Sequence, residues 1–296
     1  MAITVKDFAT GRKTFFITPE VSCFPEHFLE DYFALGYECY FIQHTKTVPL
    51  RTLIELIISI FHDVILFFNI DSQIDGINWP TFIGELQEKY KDKVGIGVTF
   101  TKRPDKDVKV RLEKLYLYDI GITCGCVQLE YQKNANFWII QKILYANQAQ
   151  GRRKNIRALC TKAYTFAFMW DDRNYNGTLQ DISLSHFSFI FPKDALKIEL
   201  YEKINEINFY LKGLLLRCSA VLMMQRPVNE TDVLNVFAFV DDTGQNGLSV
   251  RYKQLITPNI YQLMSSNCKN LLENMIRTKV EKAELPVDFE NTEINL

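Results

Sequence analysis

Runs of apolar residues alternate with amphipathic segments through the first half of the chain. Five apolar runs are separated by segments of about 10 to 15 residues with helical spacing, which predicts a parallel sheet flanked by helices. The predicted strands are KTFFIT from residue 13, ECYFIQH, DVILFFNI, VGIGVTF and CGCVQLEY. The predicted helices are PEHFLEDYFALG, PLRTLIELIISIFH, WPTFIGELQEKYKDK, DVKVRLEKLYLYDIG and NANFWIIQKILYANQ.

The pattern changes period after residue 157. Short segments rich in β-branched and aromatic residues follow, and turn signals such as DRNYNG and DDTGQNG separate them. Alternate residues of the first segment, including Tyr164, Phe166 and Phe168, are expected to face one side, as in an antiparallel barrel or sandwich. The predicted strands cover residues 158–170, 182–191, 196–203, 207–213, 214–226, 233–240 and 248–255.

Helical spacing returns after Pro258, where NIYQLMSSNCKNLLENMIRTKVEK predicts a helix that packs on the antiparallel strands. Its expected buried stripe consists of Ile260, Leu263, Met264, Leu271, Leu272, Met275 and Ile276. The last residues carry no pattern and are expected to form a loose tail.

These patterns predict four parts of the chain. An α/β domain covers residues 1–149, and an arginine-rich linker covers residues 150–157. An antiparallel domain with its C-terminal helix covers residues 158–284, and the tail covers residues 285–296. A chain of 296 residues is longer than one core usually serves, which agrees with two folded domains.

Composition places the chain among ordinary globular proteins, with 47% hydrophobic and 23% charged residues. The net charge of -1 argues against coating of nucleic acid or of an anionic membrane by bulk electrostatics, so any anion site is expected to be local. The seven cysteines lack paired spacing and the start lacks a secretory pattern, which predicts a reducing cytoplasm. Residues 52–70 are apolar, but Glu55, His62 and Asp63 interrupt them, so we expect no membrane insertion.

No catalytic motif is recognisable in the sequence. It lacks a P-loop, a G-x-S-x-G elbow, an H-E-x-x-H helix and a dinucleotide fingerprint. Cys124 and Cys126 have no second Cys or His pair at usable spacing, so they are expected to be core residues and not zinc ligands. We therefore expect no enzyme, no metal and no cofactor.

The order and length of the first-half elements resemble the response-regulator receiver domain, which implies a flavodoxin-like fold. DVILFFNIDSQIDG aligns with the family's third strand, and Phe68 then stands where the phosphoacceptor aspartate is expected. TPE replaces the acidic pair after the first strand and leaves only Glu20 as an Mg²⁺ ligand. An alignment shifted by three places offers Asp71, beyond the apolar run. We therefore predict a pseudo-receiver, retained for packing or partner contacts.

Several cations lie immediately before the first antiparallel strand. The stretch QGRRKNIRALC contains Arg153 and Arg157 as R-x-x-x-R, and Asp181-x-Ser183 in DISLSH begins 24 residues after Arg157. This pair of motifs resembles the PilZ domain, whose R-x-x-x-R is followed by [D/N]-x-S-x-x-G. The resemblance covers roughly residues 150 to 280 and implies a six-stranded antiparallel β-barrel with a C-terminal helix. Many PilZ domains bind the bacterial second messenger cyclic di-GMP.

The resemblance also implies roles for individual residues. Arg153 and Arg157 would contact phosphates and guanines, because a guanidinium presents paired donors to phosphate oxygens and to guanine O6 and N7. Arg152 would add a phosphate contact. Asp181 would accept from the guanine N1 and N2 donors, and Ser183 would bond the base or a phosphate.

His186 stands where the family motif has glycine. Glycine is often needed where the backbone takes a positive φ or approaches a ligand closely, so an imidazole could crowd the guanine. A flat imidazole ring could also stack on a purine. His186 is therefore included among the predicted ligand-binding residues.

The sequence thus predicts a cytoplasmic bacterial effector with cyclic di-GMP as its ligand. Binding would order residues 150–157 and change the arrangement of the two domains. The signal would pass to an unknown protein partner, with the pseudo-receiver as one possible contact surface. The resemblance implies motility, virulence or surface behaviour as the setting.

Two other hypotheses remain open at this point. The chain could be a degenerate PilZ protein that binds no nucleotide and acts as a protein interaction module. It could also bind RNA through the basic linker, but it lacks an extended basic face, and no nucleic-acid polymer is expected as a partner.

Overall fold

The computed structural model of the protein describes residues 11–44, 48–61, 63–91, 93–102, 105–151, 153–241 and 243–281. The chain divides into two compact units, which we call the parallel unit and the antiparallel unit. Among the described residues, the parallel unit contains those between 11 and 154 and between 268 and 281, and the antiparallel unit contains those between 155 and 267. The predicted linker 150–157 is therefore shared between the two units. The predicted tail 285–296 lies outside the described residues.

Five strands in the order β2-β1-β3-β4-β5 form the sheet of the parallel unit. They are β1 (Lys13–Ile17), β2 (Cys39–Ile42), β3 (Val64–Asn69), β4 (Val94–Thr101) and β5 (Cys126–Leu129). All neighbouring pairs are parallel. The predicted parallel five-stranded sheet is confirmed, and its strand order is the one found in flavodoxin-like folds.

Helices connect these strands, as the sequence predicts. They are α1 (Phe28–Ala34), α2 (Leu50–Phe61), α3 (Trp79–Tyr90), α4 (Lys106–Glu113) and α5 (Lys133–Ala146). A 3-10 turn at Val21–Cys23 precedes α1, and a π-helical segment, Lys114–Ile120, continues α4. Asn78 begins α3, because its side chain accepts a hydrogen bond from the backbone N–H of Thr81.

Strands β1 and β3 are buried along their whole length, which explains why they appear in the sequence as continuous apolar runs. Phe16 stacks on Phe67 across these strands with ring centroids 5.4 Å apart. Gly97 on β4 makes room for the same ring, since a Cβ there would lie 2.5 Å from Phe67. The core of this unit is therefore largely aromatic and leaves no space for a side chain at that position.

The antiparallel unit contains eight strands in the order β6-β9-β10-β13-β12-β11-β7-β8. They are β6 (Ala158–Leu159), β7 (Tyr164–Trp170), β8 (Arg173–Thr178), β9 (Asp181–Ile182), β10 (His186–Pro192), β11 (Lys203–Leu211), β12 (Leu214–Pro227) and β13 (Asp232–Val240). The described residues form eight strands, whereas the sequence pattern predicted seven and the PilZ resemblance implied six, and β6 and β9 contain only two residues each. All neighbouring pairs are antiparallel.

Only two residues separate β8 from β9, although these strands lie far apart in the sheet order. The segment from Arg173 to Ile182 pairs with β7 through β8 and with β10 and β6 through β9. At the junction, the N–H of Leu179 donates to the carbonyl of Tyr164 at 2.9 Å. The N–H of Gln180 donates to the carbonyl of Ser188 at 2.7 Å. One continuous segment thus supplies β8, at one end of the sheet order, and β9, which is next to the other end.

The predicted alternation in β7 is confirmed, because Tyr164, Phe166 and Phe168 are all buried. Phe166 stacks on Phe189 of β10 with ring centroids 4.3 Å apart. Phe187 of β10 stacks in the same way on Phe237 of β13 at 5.4 Å. Aromatic side chains on one face of the sheet therefore form the core of this unit.

Three predicted elements of the second half are wrong. DRNYNG, predicted as a turn, is largely β8, and only the last residue of the predicted strand 196–203 lies in a strand. The predicted strand 248–255 begins helix α6 (Val250–Glu281) instead. Ser249 explains this start, because its Oγ accepts from the N–H of Tyr252 at 3.3 Å.

Helix α6 continues through Pro258, which lies inside it. Residues 250–267 belong to the antiparallel unit, where Asn259 and Asn267 donate side-chain hydrogen bonds to the carbonyls of Leu211 and Leu159. Six residues of the predicted stripe are buried and Met275 is half-buried. In the described part of the chain, no helix has the length and the apolar composition that crossing a bilayer requires.

Candidate functional site

Four of the predicted ligand-binding residues lie in the antiparallel unit, close to the β9–β10 turn. Arg157 directly precedes β6, Asp181 begins β9, Ser183 follows β9 and His186 begins β10. Strand β9 pairs with both neighbours, so that Asp181 is opposite Leu159 of β6 and Ser188 of β10. The register of these two short pairings therefore brings Arg157 of the first motif close to Asp181 of the second.

The two other predicted residues are placed differently. Arg153 is exposed and belongs to the parallel unit, whose first segment ends at residue 154. Arg152 lies outside the described residues. Their predicted contacts with a ligand stay predictions.

Arg157 and Asp181 form an ion pair with 3.9 Å between Nη1 and Oδ1. This distance is too long for a hydrogen bond. Oδ1 of Asp181 is buried and has no hydrogen-bond partner among the described residues. A buried acceptor without a donor costs about 1–3 kcal/mol, so this oxygen is prepared to accept a bond from a ligand.

Ser183 holds the turn between β9 and β10. Its Oγ donates to the carbonyl of His186 at 3.0 Å and accepts from the N–H of the same residue at 3.0 Å. The N–H of Ser183 also bonds that carbonyl at 2.8 Å. The motif serine is almost completely buried, and its hydrogen bonds go to its own chain. Its geometry is that of a residue that shapes the loop beside Asp181.

His186 is half-buried and belongs to a short series of side-chain hydrogen bonds. Its Nδ1 lies 2.8 Å from Oγ of Ser185, and that oxygen accepts from Nδ2 of Asn155 at 2.9 Å. Burial lowers the pKa of His186, and the nearby Arg157 lowers it further, while Asp181 opposes the shift. The net shift favours the neutral form of the imidazole. It presents a flat, uncharged surface next to the Arg157–Asp181 pair.

The backbone at His186 does not need glycine. His186 is not among the residues of positive φ, and it lies within the extended strand β10. The concern that an imidazole at the motif's glycine position would strain the backbone is therefore removed. Any effect of His186 on a ligand comes from its ring.

Three residues near the site escaped the sequence analysis. Asn155 lies between Arg153 and Arg157, and Ser185 lies inside the second motif, so both positions are visible in the sequence. Ser188 is fully buried, and its Oγ has no hydrogen-bond partner in the described part of the chain. Its position opposite Asp181 depends on strand register, which the sequence does not reveal.

The carboxyl edge of the parallel sheet is the place where doubly wound folds bind ligands. Phe68, at the expected phosphoacceptor position, is fully buried, and its ring contacts Trp79 and Phe82. Oδ2 of Asp71 accepts from the N–H of Thr101 at 2.6 Å and from its Oγ1 at 2.7 Å. These contacts are internal and resemble packing more than a ligand site.

The loops at this edge also bond each other. Oγ of Ser72 donates to the carbonyl of Thr18 at 3.2 Å, and Nε1 of Trp79 donates to the carbonyl of Ser72 at 2.8 Å. Glu20, the remaining acidic residue after β1, accepts from Oγ of Ser22 at 2.6 Å. The polar groups named at this edge are thus bonded to the chain itself.

Comparison with known proteins gives a partial similarity. No protein-family model and no curated protein matches the chain. Among solved structures, it is similar to YcgR from Escherichia coli in complex with c-di-GMP, with 17% identity, 45% of this chain, 50% of that chain and a TM-score of 0.31. The chain is also similar to the MrkH–c-di-GMP complex of K. pneumonia, with 12% identity and a TM-score of 0.30. That match covers 44% of this chain and 55% of MrkH.

The isolated PilZ domain of Escherichia coli YcgR with c-di-GMP gives 16% identity, 44% of this chain, 98% of that chain and a TM-score of 0.27. The match spans about half the length of the two longer proteins and nearly all of this single domain. Similarity at this level assigns no function to the chain.

Proposed function

We propose that the antiparallel unit is a PilZ-type domain that binds cyclic di-GMP, and that the protein is a receptor for this messenger. The observation that carries the proposal is the buried Oδ1 of Asp181, which has no hydrogen-bond partner in the described residues and lies 3.9 Å from Nη1 of Arg157. An unpaired acceptor beside a guanidinium complements a ligand that has both N–H donors and phosphates. The two residues belong to the two motifs that resemble the PilZ signature.

The pairing of strands supports this domain type. The segment from Arg173 to Ile182 bonds β7 at one end and β10 at the other, so we count it as one bent strand. With β7, β10, β11, β12 and β13 it makes six strands whose pairing returns to its starting point. This count supports the six-stranded barrel that we propose, which helix α6 follows in sequence.

The chemistry of the site suits a guanine nucleotide. The Asp181 carboxylate accepts from guanine N1 and N2, and Arg157 turns its fork to a phosphate or to guanine O6 and N7. The neutral ring of His186 offers a surface on which a base stacks. Arg153 and Arg152 add donors when the linker orders around the ligand.

The output of the receptor is a further part of the proposal. Ordering of residues 150–157 around the ligand changes the arrangement of the two units, and a protein partner detects the change. The parallel unit serves as a pseudo-receiver, which has the fold but no phosphoacceptor, and is one surface for that partner. By resemblance to PilZ proteins, the setting is the cytoplasm of a bacterium and a pathway of motility, virulence or surface behaviour.

Isothermal titration with cyclic di-GMP tests the proposal. We expect binding at micromolar or lower concentration in the wild-type protein, and a loss of at least roughly a hundredfold in Arg157→Ala. Arg217→Ala is the matched control, because Arg217 is an exposed arginine of β12 that bonds Asn208 and belongs to neither motif. It should bind like the wild type. Absence of heat with the wild-type protein would refute the receptor.

A degenerate PilZ module without a nucleotide is the second candidate. It is favoured by the Ser183 hydroxyl, which is already bonded within the turn, and by His186 in place of glycine. This candidate predicts that the wild-type protein gives no heat with cyclic di-GMP and that Arg157→Ala changes nothing. The same titration therefore separates the two functions.

A further inference from the structure

Ser188 and Asp181 form a buried polar pair at the edge of the candidate site. Ser188 of β10 is directly opposite Asp181 of β9, and Ser188 is fully buried. Neither Oγ of Ser188 nor Oδ1 of Asp181 has a hydrogen-bond partner within the described ranges. Opposite residues in an antiparallel pair direct their side chains to the same face with Cβ atoms about 5 Å apart. A side-chain rotation can therefore join the two groups.

The face of the strand places Ser188 with the site and not with the core. Side chains alternate along β10, so Ser188 shares its face with His186, while Phe187 and Phe189 form aromatic contacts on the other face. A buried hydroxyl without a partner lowers stability, and alanine at the same place would avoid that cost. An unpaired hydroxyl on this face is therefore better explained by the ligand site than by packing.

The surroundings of Asp181 show why a further donor matters. Its Oδ1 faces Arg157 at 3.9 Å, and when Arg157 turns to a ligand phosphate that oxygen loses its cation. The neighbouring thiol of Cys160 is a weaker donor than a hydroxyl, and it already donates to the carbonyl of Ala158. Ser188 is the hydroxyl donor on the strand directly opposite.

We propose that Ser188 is a positioning residue that makes the site selective for guanine. Its hydroxyl donates to Asp181 in the bound state and holds the carboxylate plane toward the N1 and N2 donors of the base. Guanine offers both donors, hypoxanthine offers only N1, and adenine presents an acceptor at N1. A carboxylate held in one orientation therefore discriminates among these bases. The inference rests on the proposed function, because it concerns how that site selects its base.

The test compares cyclic di-GMP with cyclic di-IMP, its hypoxanthine analogue, by isothermal titration into wild-type protein, Ser188→Ala and Ser219→Ala. Ser219 is a half-buried serine of β12 outside the site and serves as the control. We expect the wild type and Ser219→Ala to prefer cyclic di-GMP by at least roughly tenfold. Ser188→Ala should lose most of this preference, bind cyclic di-GMP about tenfold more weakly, and melt at the same or a higher temperature.

The outcomes separate the two proposals. If the wild type binds neither dinucleotide, the receptor itself is refuted. If the wild type binds and Ser188→Ala keeps the same preference for cyclic di-GMP, the receptor stands and the role of Ser188 is refuted. A fall in affinity for both dinucleotides by one factor, with a lower melting temperature, would indicate a structural role only and would also refute the inference.

Discussion

Polar side chains lie beside strand ends both at the carboxyl edge of the parallel sheet and near the β9–β10 turn. The two regions differ in how many of these polar groups have hydrogen-bond partners within the chain. At the first, Asp71 bonds Thr101, and Ser72 bonds Thr18. At the second, Asp181 and Ser188 keep buried atoms without a partner in the described residues. A buried polar group that the fold satisfies stabilises the fold, whereas one that the fold leaves unsatisfied costs stability, and a bound ligand can offset that cost.

This comparison assigns opposite roles to two aspartates that look alike in the sequence. Each lies in a short polar stretch close to a strand, and each was a candidate site residue. Asp71 joins the loop after β3 to the end of β4 through its two bonds to Thr101. Oδ1 of Asp181 has no hydrogen-bond partner in the described residues, and in our proposal it accepts from the ligand. The following substitutions test that distinction, from the largest expected effect to the smallest.

An aspartate at the position where the receiver resemblance expects the phosphoacceptor, introduced by Phe68→Asp, should damage the fold. Phe68 is fully buried against Trp79 and Phe82, so the change removes a large aromatic side chain and buries a charge. We expect the free energy of unfolding to fall by at least about 4 kcal/mol. Urea denaturation measures the loss. A stable variant that takes up phosphate from acetyl phosphate with Mg²⁺ would contradict the pseudo-receiver.

Asp181→Ala should abolish ligand binding with little effect on stability. The change removes the acceptor for guanine, and we expect at least roughly a hundredfold weaker binding of cyclic di-GMP by titration. Its partly exposed ion pair with Arg157 contributes at most about 1 kcal/mol, so the melting temperature should change little. Large destabilisation together with unchanged affinity would show that Asp181 belongs to the structural class.

Asp71→Ala should give the reverse result. The variant leaves the N–H and the hydroxyl of Thr101 without their acceptor, so the free energy of unfolding should fall by about 2 kcal/mol. Binding of cyclic di-GMP should stay within about twofold of the wild type. Denaturation and titration of the same preparation measure both quantities. A marked loss of affinity would remove the difference between the two aspartates.

The smallest effect concerns pH and His186. Burial and Arg157 lower the pKa of His186 in the folded protein, so below the ordinary value near 6.5 the unfolded chain binds more protons than the folded one. Stability should therefore fall as pH decreases through that value toward the lower folded pKa. Between about pH 7.5 and 5.5, the melting temperature of His186→Gln should fall by less than that of the wild type. An equal fall in melting temperature for the two proteins would show that another group causes the pH dependence.

The sequence predicted the parallel sheet well because strands buried on both faces leave a continuous apolar signal. It failed where that signal is weak. DRNYNG is the edge strand β8, which needs few apolar residues, and its Asn and Gly content is also typical of turns. The segment 248–255 alternates like a strand, but the bond from Ser249 to Tyr252 begins a helix there.

Only one property of the candidate site was predictable from the sequence, namely that the two motifs lie close together. The proximity of Arg157 to Asp181 agrees with the spacing, and the distance of 3.9 Å documents it. The unpaired state of Asp181 and Ser188 and the link from Asn155 to Ser185 depend on strand register and side-chain rotamers. Those properties arise from tertiary pairing, which no local pattern in the chain encodes.

The bent segment from Arg173 to Ile182 has a consequence for dynamics. Because the N–H of Leu179 bonds the carbonyl of Tyr164 and the N–H of Gln180 bonds the carbonyl of Ser188, each amide exchanges with solvent only when the segment detaches from that partner. A ligand held by Asp181, one residue further on, would slow that detachment. Hydrogen exchange at Leu179 and Gln180 would then report occupancy of the site as a delay in deuterium uptake, without any change in average structure.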